Sequence, residues 1–347
     1  MKAKLILENG IVFQGEAFGY LEETVGEVVF NTAMSGYQEI LTDPSYYGQI
    51  VVMTYPLIGN YGLNLEDVES SSPKVKGLIV QEACDYPNNF RCEISLEDYL
   101  KNNKIMGLQK IDTRALTKVL RDQGTMKGII TLEQISDDYI KSKFEDFSNS
   151  DGVKKVTTDK VYTIEGKGKH VAILDYGIKA STLKAFVNRD CKVTVFPAYS
   201  SYEEVLEVKP DLVFLSDGPG NPRDLKECIE NIKGLIGKKP LAGVCLGHQL
   251  LALALGGSTN KLTFGHRGSN HPVRSLEDNR VIITSQNHGY YVDKLPEDTA
   301  ATHINVNDGT IEGMKHNTLP IFSVQFHPEV AANPKDDNDI YNSFLSL

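Results

Sequence analysis

The sequence predicts an α/β protein whose C-terminal half is a doubly wound, mostly parallel sheet, preceded by a β-rich α+β domain. Three observations predict it. After His170, short fully apolar strands alternate with helical stretches, the pattern of a parallel sheet covered on both faces. Before about residue 130, short β-type runs are separated by turn residues. The length, 347 residues, suits two domains at about 150 residues each. The boundaries are expected at 1–150 for the first domain, 151–169 for a linker and 170–347 for the second.

The elements follow in order. KLILENGIVFQG reads as two strands around Asn9-Gly10, a hairpin signal. GEVVFNT and GQIVVMTYP are further short strands. Asp112 or Thr113 caps a helix, RALTKVLRDQG, that Gly124 stops, and a second helix is expected over 131–145. Residues 146–169 are polar and rich in Lys, Ser, Thr and Gly, hence the linker, although KVYTI within them reads as a strand. Then come the strand VAILD, a helix over 179–189, KVTVF, the helix SYEEVLEV, DLVFLS, a helix over 224–236, PLAGV and the helix GHQLLALALGG. His266 and His271 fall in a Gly-rich loop. NRVIITSQNH, a hairpin turning at Asp308-Gly309, the strand IFSVQF and a terminal helix DIYNSFLSL complete the chain.

Composition narrows the function class. Net charge is −10, which argues against a nucleic-acid partner and against an anionic membrane surface. No apolar run approaches the ~18 residues of a membrane span, and the N-terminus has neither a secretory nor a transit pattern. A cytoplasmic protein is expected. The five cysteines are odd in number and show no knuckle spacing, so neither a disulfide framework nor a structural zinc is expected.

In open α/β sheets ligands bind outside the carboxyl ends of the strands, and three strand ends carry chemistry. Gly243-Val244-Cys245-Leu246-Gly247 has the form G-x-C-x-G between strand and helix, a nucleophile elbow with sulfur as the reacting atom. The helix N-terminus behind it favours a thiolate. His327-Pro328-Glu329 follows another strand. If extended before the proline, residues i and i+2 point the same way, so Glu329 can orient His327 as a base. His248 and His288 are rival bases. Gly218-Pro219-Gly220 matches neither a P-loop nor a dinucleotide fingerprint. It reads either as a plain turn or as an oxyanion hole shared with the N–H of Leu246.

Together GVCLGHQLLALALGG, DGPGNP and FHPE resemble the class I, triad-type glutamine amidotransferases, whose sheet is flavodoxin-like. The stretch GEVVFNTAMSGYQEILTDPSYYGQIVVMTYPLIGNYG resembles the small subunits of carbamoyl phosphate synthetases, so the resemblance spans nearly the whole chain. It implies Cys245 as nucleophile with His327 and Glu329 completing the triad. It implies glutamine contacts from Ser45, Gly218, Gly220, Leu246, Gln249, Asn287, Gly289 and Tyr290. Asp217, Asn221 and Tyr290 depart from the family's usual residues, and none of these changes removes a reacting group.

The resemblance further implies hydrolysis of L-glutamine and delivery of ammonia to a large subunit that makes carbamoyl phosphate for arginine or pyrimidine synthesis, with the first domain at the partner interface. ATP and Mg belong to that large subunit, and no cofactor or metal is expected in this chain. The alternatives are the glutaminase subunit of another class I amidotransferase and a non-catalytic regulatory subunit.

Overall fold

The computed structural model describes residues 1–330 and 334–347, with side chains described everywhere except at 331–339. The acidic stretch KDDND (335–339), noted in the sequence, lies outside the described side chains. The chain divides into two compact units, Met1–Asn149 and Ser150–Leu347.

The first unit is a closed seven-stranded barrel. Its strands are β1 (Lys2–Leu7), β2 (Val12–Gly19), β3 (Thr24–Asn31), β4 (Gln49–Met53), β5 (Gly77–Ile79), β6 (Met106–Gln109) and β7 (Met126–Thr131), in the order β1-β2-β6-β5-β4-β3-β7. The expected hairpin forms β1 and β2. The Asn9 side chain accepts from the Ile11 N–H at 3.0 Å, and Gly10 takes a φ of 85° that suits a residue without Cβ. The barrel closes where Leu5 pairs with Ile130. Strands β3 to β6 are parallel neighbours. Val29 and Val51 join an outer cluster with Leu41, Leu96 and Leu100. Their neighbours Val28, Ile50 and Val52 point the opposite way and are also buried. Burial on both faces explains why these runs are apolar without alternation. The helix Thr113–Gln123 is capped by Asp112, which accepts from the Ala115 N–H at 2.8 Å, and ends at Gly124 with φ 92°. The second helix spans Asp137–Asp146.

The second unit is a ten-stranded sheet. Its strands are β8 (Tyr162–Ile164), β9 (His170–Asp175), β10 (Lys192–Pro197), β11 (Leu212–Leu215), β12 (Leu241–Val244), β13 (Ser258–Ser275), β14 (Val281–Lys294), β15 (Thr299–Asn305), β16 (Ile311–His316) and β17 (Ile321–Val324). Their order is β8-β10-β9-β11-β12-β17-β16-β14-β13-β15. Strands β10, β9, β11, β12 and β17 run parallel. One face carries the helices Tyr202–Glu207, Lys226–Leu235 and Leu246–Ala254, which bury Val205, Ile232 and Leu250. The other carries Ala180–Val187 and Pro334–Leu345, where Phe186, Tyr341 and Phe344 meet edge to face. This is the doubly wound arrangement expected.

Two expectations need correction. Residues 151–169 are not a bare linker. They form the helix Gly152–Val156 and strand β8, which pairs with β10, and the Thr158 N–H donates to the Asp175 carboxylate at 2.7 Å. Their polar composition reflects an exposed edge. The Gly-rich loop holding His266 and His271 is instead part of β13, an 18-residue strand paired with β14. Register shifts near Gly265 and Gly268 break its alternation.

Among the described residues no helix is long and apolar enough to cross a membrane. All five cysteines are free thiols. In the second unit, burial pushes His248 down to about 3 and His303 down to about 4. Both stay neutral when folded but bind a proton near pH 6.5 when unfolded. Their contribution to stability is therefore full above pH 6.5 and lost as pH falls towards 4. Thermal midpoints should decline from pH 6.5 to pH 5, and less steeply in His303→Gln. A flat wild-type profile over that window would contradict the buried, neutral rings.

Candidate active site

The site is built around one sharp turn. At the end of β12 the chain passes through Cys245, with φ 50° and ψ −109°, directly into the helix Leu246–Ala254. A positive φ in a residue with a side chain is strained, and persists only where its surroundings enforce it. Here they do. The Cys245 N–H donates to Val324 O at 3.0 Å and the Gly247 N–H to Ser216 O at 3.0 Å. A Cβ on Gly247 would stand 2.1 Å from Leu215 O, and one on Gly243 3.0 Å from the Gly247 carbonyl carbon. Only glycine permits that approach. The thiol is 1% exposed and donates weakly to Asn287 O at 3.6 Å.

The glycine loop lies beside the turn. A Cβ on Gly218 would come within 2.3 Å of Tyr176 O and 3.0 Å of Leu246 Cδ2, and Gly220 has φ 97°. Asn221 caps the short turn that follows, accepting from the Arg223 N–H at 3.2 Å. From the next helical turn, Gln249 donates to Tyr290 O at 2.7 Å and to Gln325 Oε1 at 2.9 Å. It thereby ties the helix to β14, the strand of Asn287, Gly289 and Tyr290.

His327 follows β17, the strand beside β12. Its N–H donates to Ser285 O at 3.0 Å, and its Nδ1 lies 3.2 Å from Glu329 Oε1, both side chains buried. The pairing is as expected, but the backbone is not extended throughout. Pro328–Val330 is a 3₁₀ turn, and that curl carries Glu329 back under the ring. His327 Nε2 is buried with no hydrogen-bond partner, although Cys245 is close enough to favour the protonated ring.

Sequence inspection missed Lys179. Its ammonium lies 2.7 Å from Glu329 Oε1, with both side chains almost fully buried. Thr182 Oγ1 at 3.3 Å and Tyr341 Oη at 3.3 Å also donate to Glu329. The signal was present: Lys179 follows β9, a fourth strand end on the same side of the sheet. Burial alone would neutralise Glu329, but Lys179 first and His327 second hold it well below the usual carboxylate range. Burial and Lys179 both oppose a proton on His327. Cys245 and Glu329 outweigh them and raise it above the ordinary imidazole range.

The rival histidines are held elsewhere. His248 Nδ1 lies 2.8 Å from Ser323 Oγ, and its Nε2 is buried without a hydrogen-bond partner. His288 is held on both sides, by Tyr290 O at 2.7 Å and Gln286 Oε1 at 3.0 Å. Ser45 lies in the first unit, where its N–H donates to Asp43 Oδ1 at 2.8 Å and its hydroxyl is buried without a hydrogen-bond partner.

Gly247→Ala should force helix and strand apart and cost at least about 3 kcal/mol, read as a shift in denaturant midpoint; a stable variant would show that the close approach is dispensable. Lys179→Met leaves a buried carboxylate short of its cation. It should destabilise the second unit by about 3 kcal/mol, and an unchanged midpoint would show that the pair is not enclosed.

A family model described as carbamoyl-phosphate synthase small chain, CPSase domain, matches residues 5–130. One described as glutamine amidotransferase class-I matches residues 172–347. The carbamoyl phosphate synthase small chain of Clostridium perfringens is 65% identical over 345 residues, covering 99% of each chain. The pyrimidine-specific small chain of Bacillus subtilis is 51% identical over 352 residues, covering 100% of this chain and 96% of that one. With both halves matched in order and relatives similar along their whole length, the chain belongs to the carbamoyl phosphate synthase small chain family.

Proposed function

We propose that this chain is the glutaminase subunit of a carbamoyl phosphate synthase and that Cys245, His327 and Glu329 perform the hydrolysis. The observation that carries the proposal is His327. Its Nδ1 is committed to an ionised Glu329, while its Nε2 is buried, uncommitted and close to a thiol on a strained turn. That arrangement lets the ring take up the thiol's proton as the sulfur attacks.

The Cys245 thiolate attacks the side-chain carboxamide carbon of glutamine. Negative charge develops on the carboxamide oxygen, and the N–H groups at Leu246 and around Gly220 stabilise it. His327 gives its proton to the leaving nitrogen, ammonia departs and a γ-glutamyl thioester remains. His327 then takes a proton from water, the resulting hydroxide attacks the thioester, and glutamate leaves as the thiolate is restored. Gly218, Gln249, Asn287, Gly289 and Tyr290 position the substrate. No cofactor or metal takes part in these steps.

Ammonia is the useful product only while unprotonated, because ammonium has no lone pair with which to attack. The ammonia therefore passes directly to a large subunit, which holds ATP and Mg and makes carbamoyl phosphate in the cytoplasm. The first unit supplies much of the surface for that partner.

The test is Cys245→Ala in the complex with a large subunit. Glutamine-dependent synthesis should vanish, by at least about 10³-fold, while synthesis from added ammonia persists. Loss of both activities in an assembled complex would overturn the assignment, and so would retention of both.

A further inference from the structure

His266 on β13 and His288 on β14 face one another directly across the strand pair. Beside them lie Glu312 on β16 and Asp308 in the turn that precedes it. His266, His288 and Glu312 are buried, and one ligand atom from each lies within 4.8 Å of the others.

The hydrogen bonds fix which ring nitrogens face inward. His288 Nδ1 lies 2.7 Å from Tyr290 O, a carbonyl that can only accept, so that nitrogen carries a hydrogen. His266 Nε2 lies 2.8 Å from Asp308 Oδ2 and donates to the carboxylate. The inner nitrogens, His266 Nδ1 and His288 Nε2, both lie 3.0 Å from Gln286 Oε1. His266 Nδ1 is also 3.5 Å from Glu312 Oε1. Asn305 donates to Glu312 Oε1 at 3.0 Å, whereas Glu312 Oε2 is buried without a hydrogen-bond partner.

Short of charging both buried rings at once, no placement of protons satisfies this group. A proton on His266 Nδ1 serves Gln286 and balances Glu312, but the His288 Nε2 lone pair then faces the Gln286 oxygen. Reversing the Gln286 amide serves both rings, yet leaves buried Glu312 facing a neutral ring. It also turns the Gln286 oxygen towards Thr284 Oγ1, which already donates to His271 O at 2.9 Å. Each choice leaves a buried mismatch, and such mismatches are costly.

A cation removes the conflict, since it takes lone pairs from every inward atom at once. We propose that His266 Nδ1, His288 Nε2 and the Glu312 carboxylate bind one divalent cation of the zinc class, with Gln286 Oε1 as an adjacent fourth donor. Two imidazoles, a carboxylate and an amide oxygen suit that class. Tetrahedral ligands at zinc bond lengths stand about 3.4 Å apart, close to the 3.5 Å between His266 and Glu312. The outward partners are those that orient metal-bound imidazoles, a carboxylate for one ring and a backbone carbonyl for the other. The ion would brace β13 and β16 against β14, the strand that carries Asn287 and Tyr290. It stands outside the hydrolytic steps, and the proposal does not depend on them.

The experiment uses the full chain carrying Cys245→Ala, which removes the thiol nearest this strand. Chelator-treated protein is titrated with Zn²⁺ by calorimetry and with Co²⁺ by visible absorption. One equivalent of each should bind, with cobalt d–d bands, no thiolate charge-transfer band, and a thermal midpoint raised by saturating Zn²⁺. Glu312→Gln, nearly isosteric, should weaken binding about 10- to 100-fold, as should His266→Gln, with unchanged circular dichroism. Absence of stoichiometric binding would overturn the proposal. So would a thiolate band, or affinity unaltered in both variants.

Discussion

The second unit depends on how closely one helix can approach one strand. Gly247 rests on the backbone of Leu215, and no other residue fits there. That contact pins the start of the helix, and the pinned helix holds Cys245 in a conformation it would not choose. Because Cys245 also donates its N–H to Val324 O, the same turn is tied to the end of the strand that precedes His327. Strands β12 and β17 are parallel and in register, Val244 beside Val324. Cys245 and His327 therefore follow neighbouring strands that end at the same level, and packing brings them together without any long-range adjustment.

Electrostatics settle what packing brings together. Three ionisable side chains, Lys179, His327 and Glu329, are almost wholly withdrawn from water. A buried ion pair is a weak source of stability; its value here is positional. Lys179 keeps Glu329 ionised against its own burial. The carboxylate in turn fixes the imidazole and its tautomer. Lys179 simultaneously discourages a second positive charge on the ring, so the ring's proton depends on the thiol opposite. Charge at the site is thus shared among four groups rather than assigned to one.

Much of this was legible in the residues, and the reasons are specific. Apolar strands alternating with helices predicted the doubly wound sheet because burial on both faces leaves no polar interruptions. The G-x-C-x-G and His-Pro-Glu segments stood out because strand ends are where an open sheet presents side chains. Lys179 did not stand out, since a lone lysine before a helix has the look of a solvated residue until Glu329 is placed beside it. Strand β13 was hidden by its glycines and register shifts, which erase period-two patterning. Barrel closure was equally hidden, because pairing of Leu5 with Ile130 is a long-range fact that no local pattern records. The curl at Pro328 escaped because a proline constrains the residue before it more than those after it.

The sheet order has a consequence for how the protein is made. β17, the last strand, is not at an edge but lies between β12 and β16. On the ribosome, β9 to β12 and the helices between them emerge first, and β12 must then wait with one side unpaired while the helix Leu246–Ala254 and the antiparallel strands β13 to β16 are translated. Domains fold during synthesis as their parts become available, yet this sheet cannot be joined into one piece until IFSV (321–324) is released. The barrel has a similar requirement, since β1 has no partner on its closing side until β7 is made. A chain that stops before Ile321 would thus yield a finished barrel and a second unit split into two unjoined leaves. The exposed apolar edge of β12 would mark such a product for proteolysis or chaperone capture.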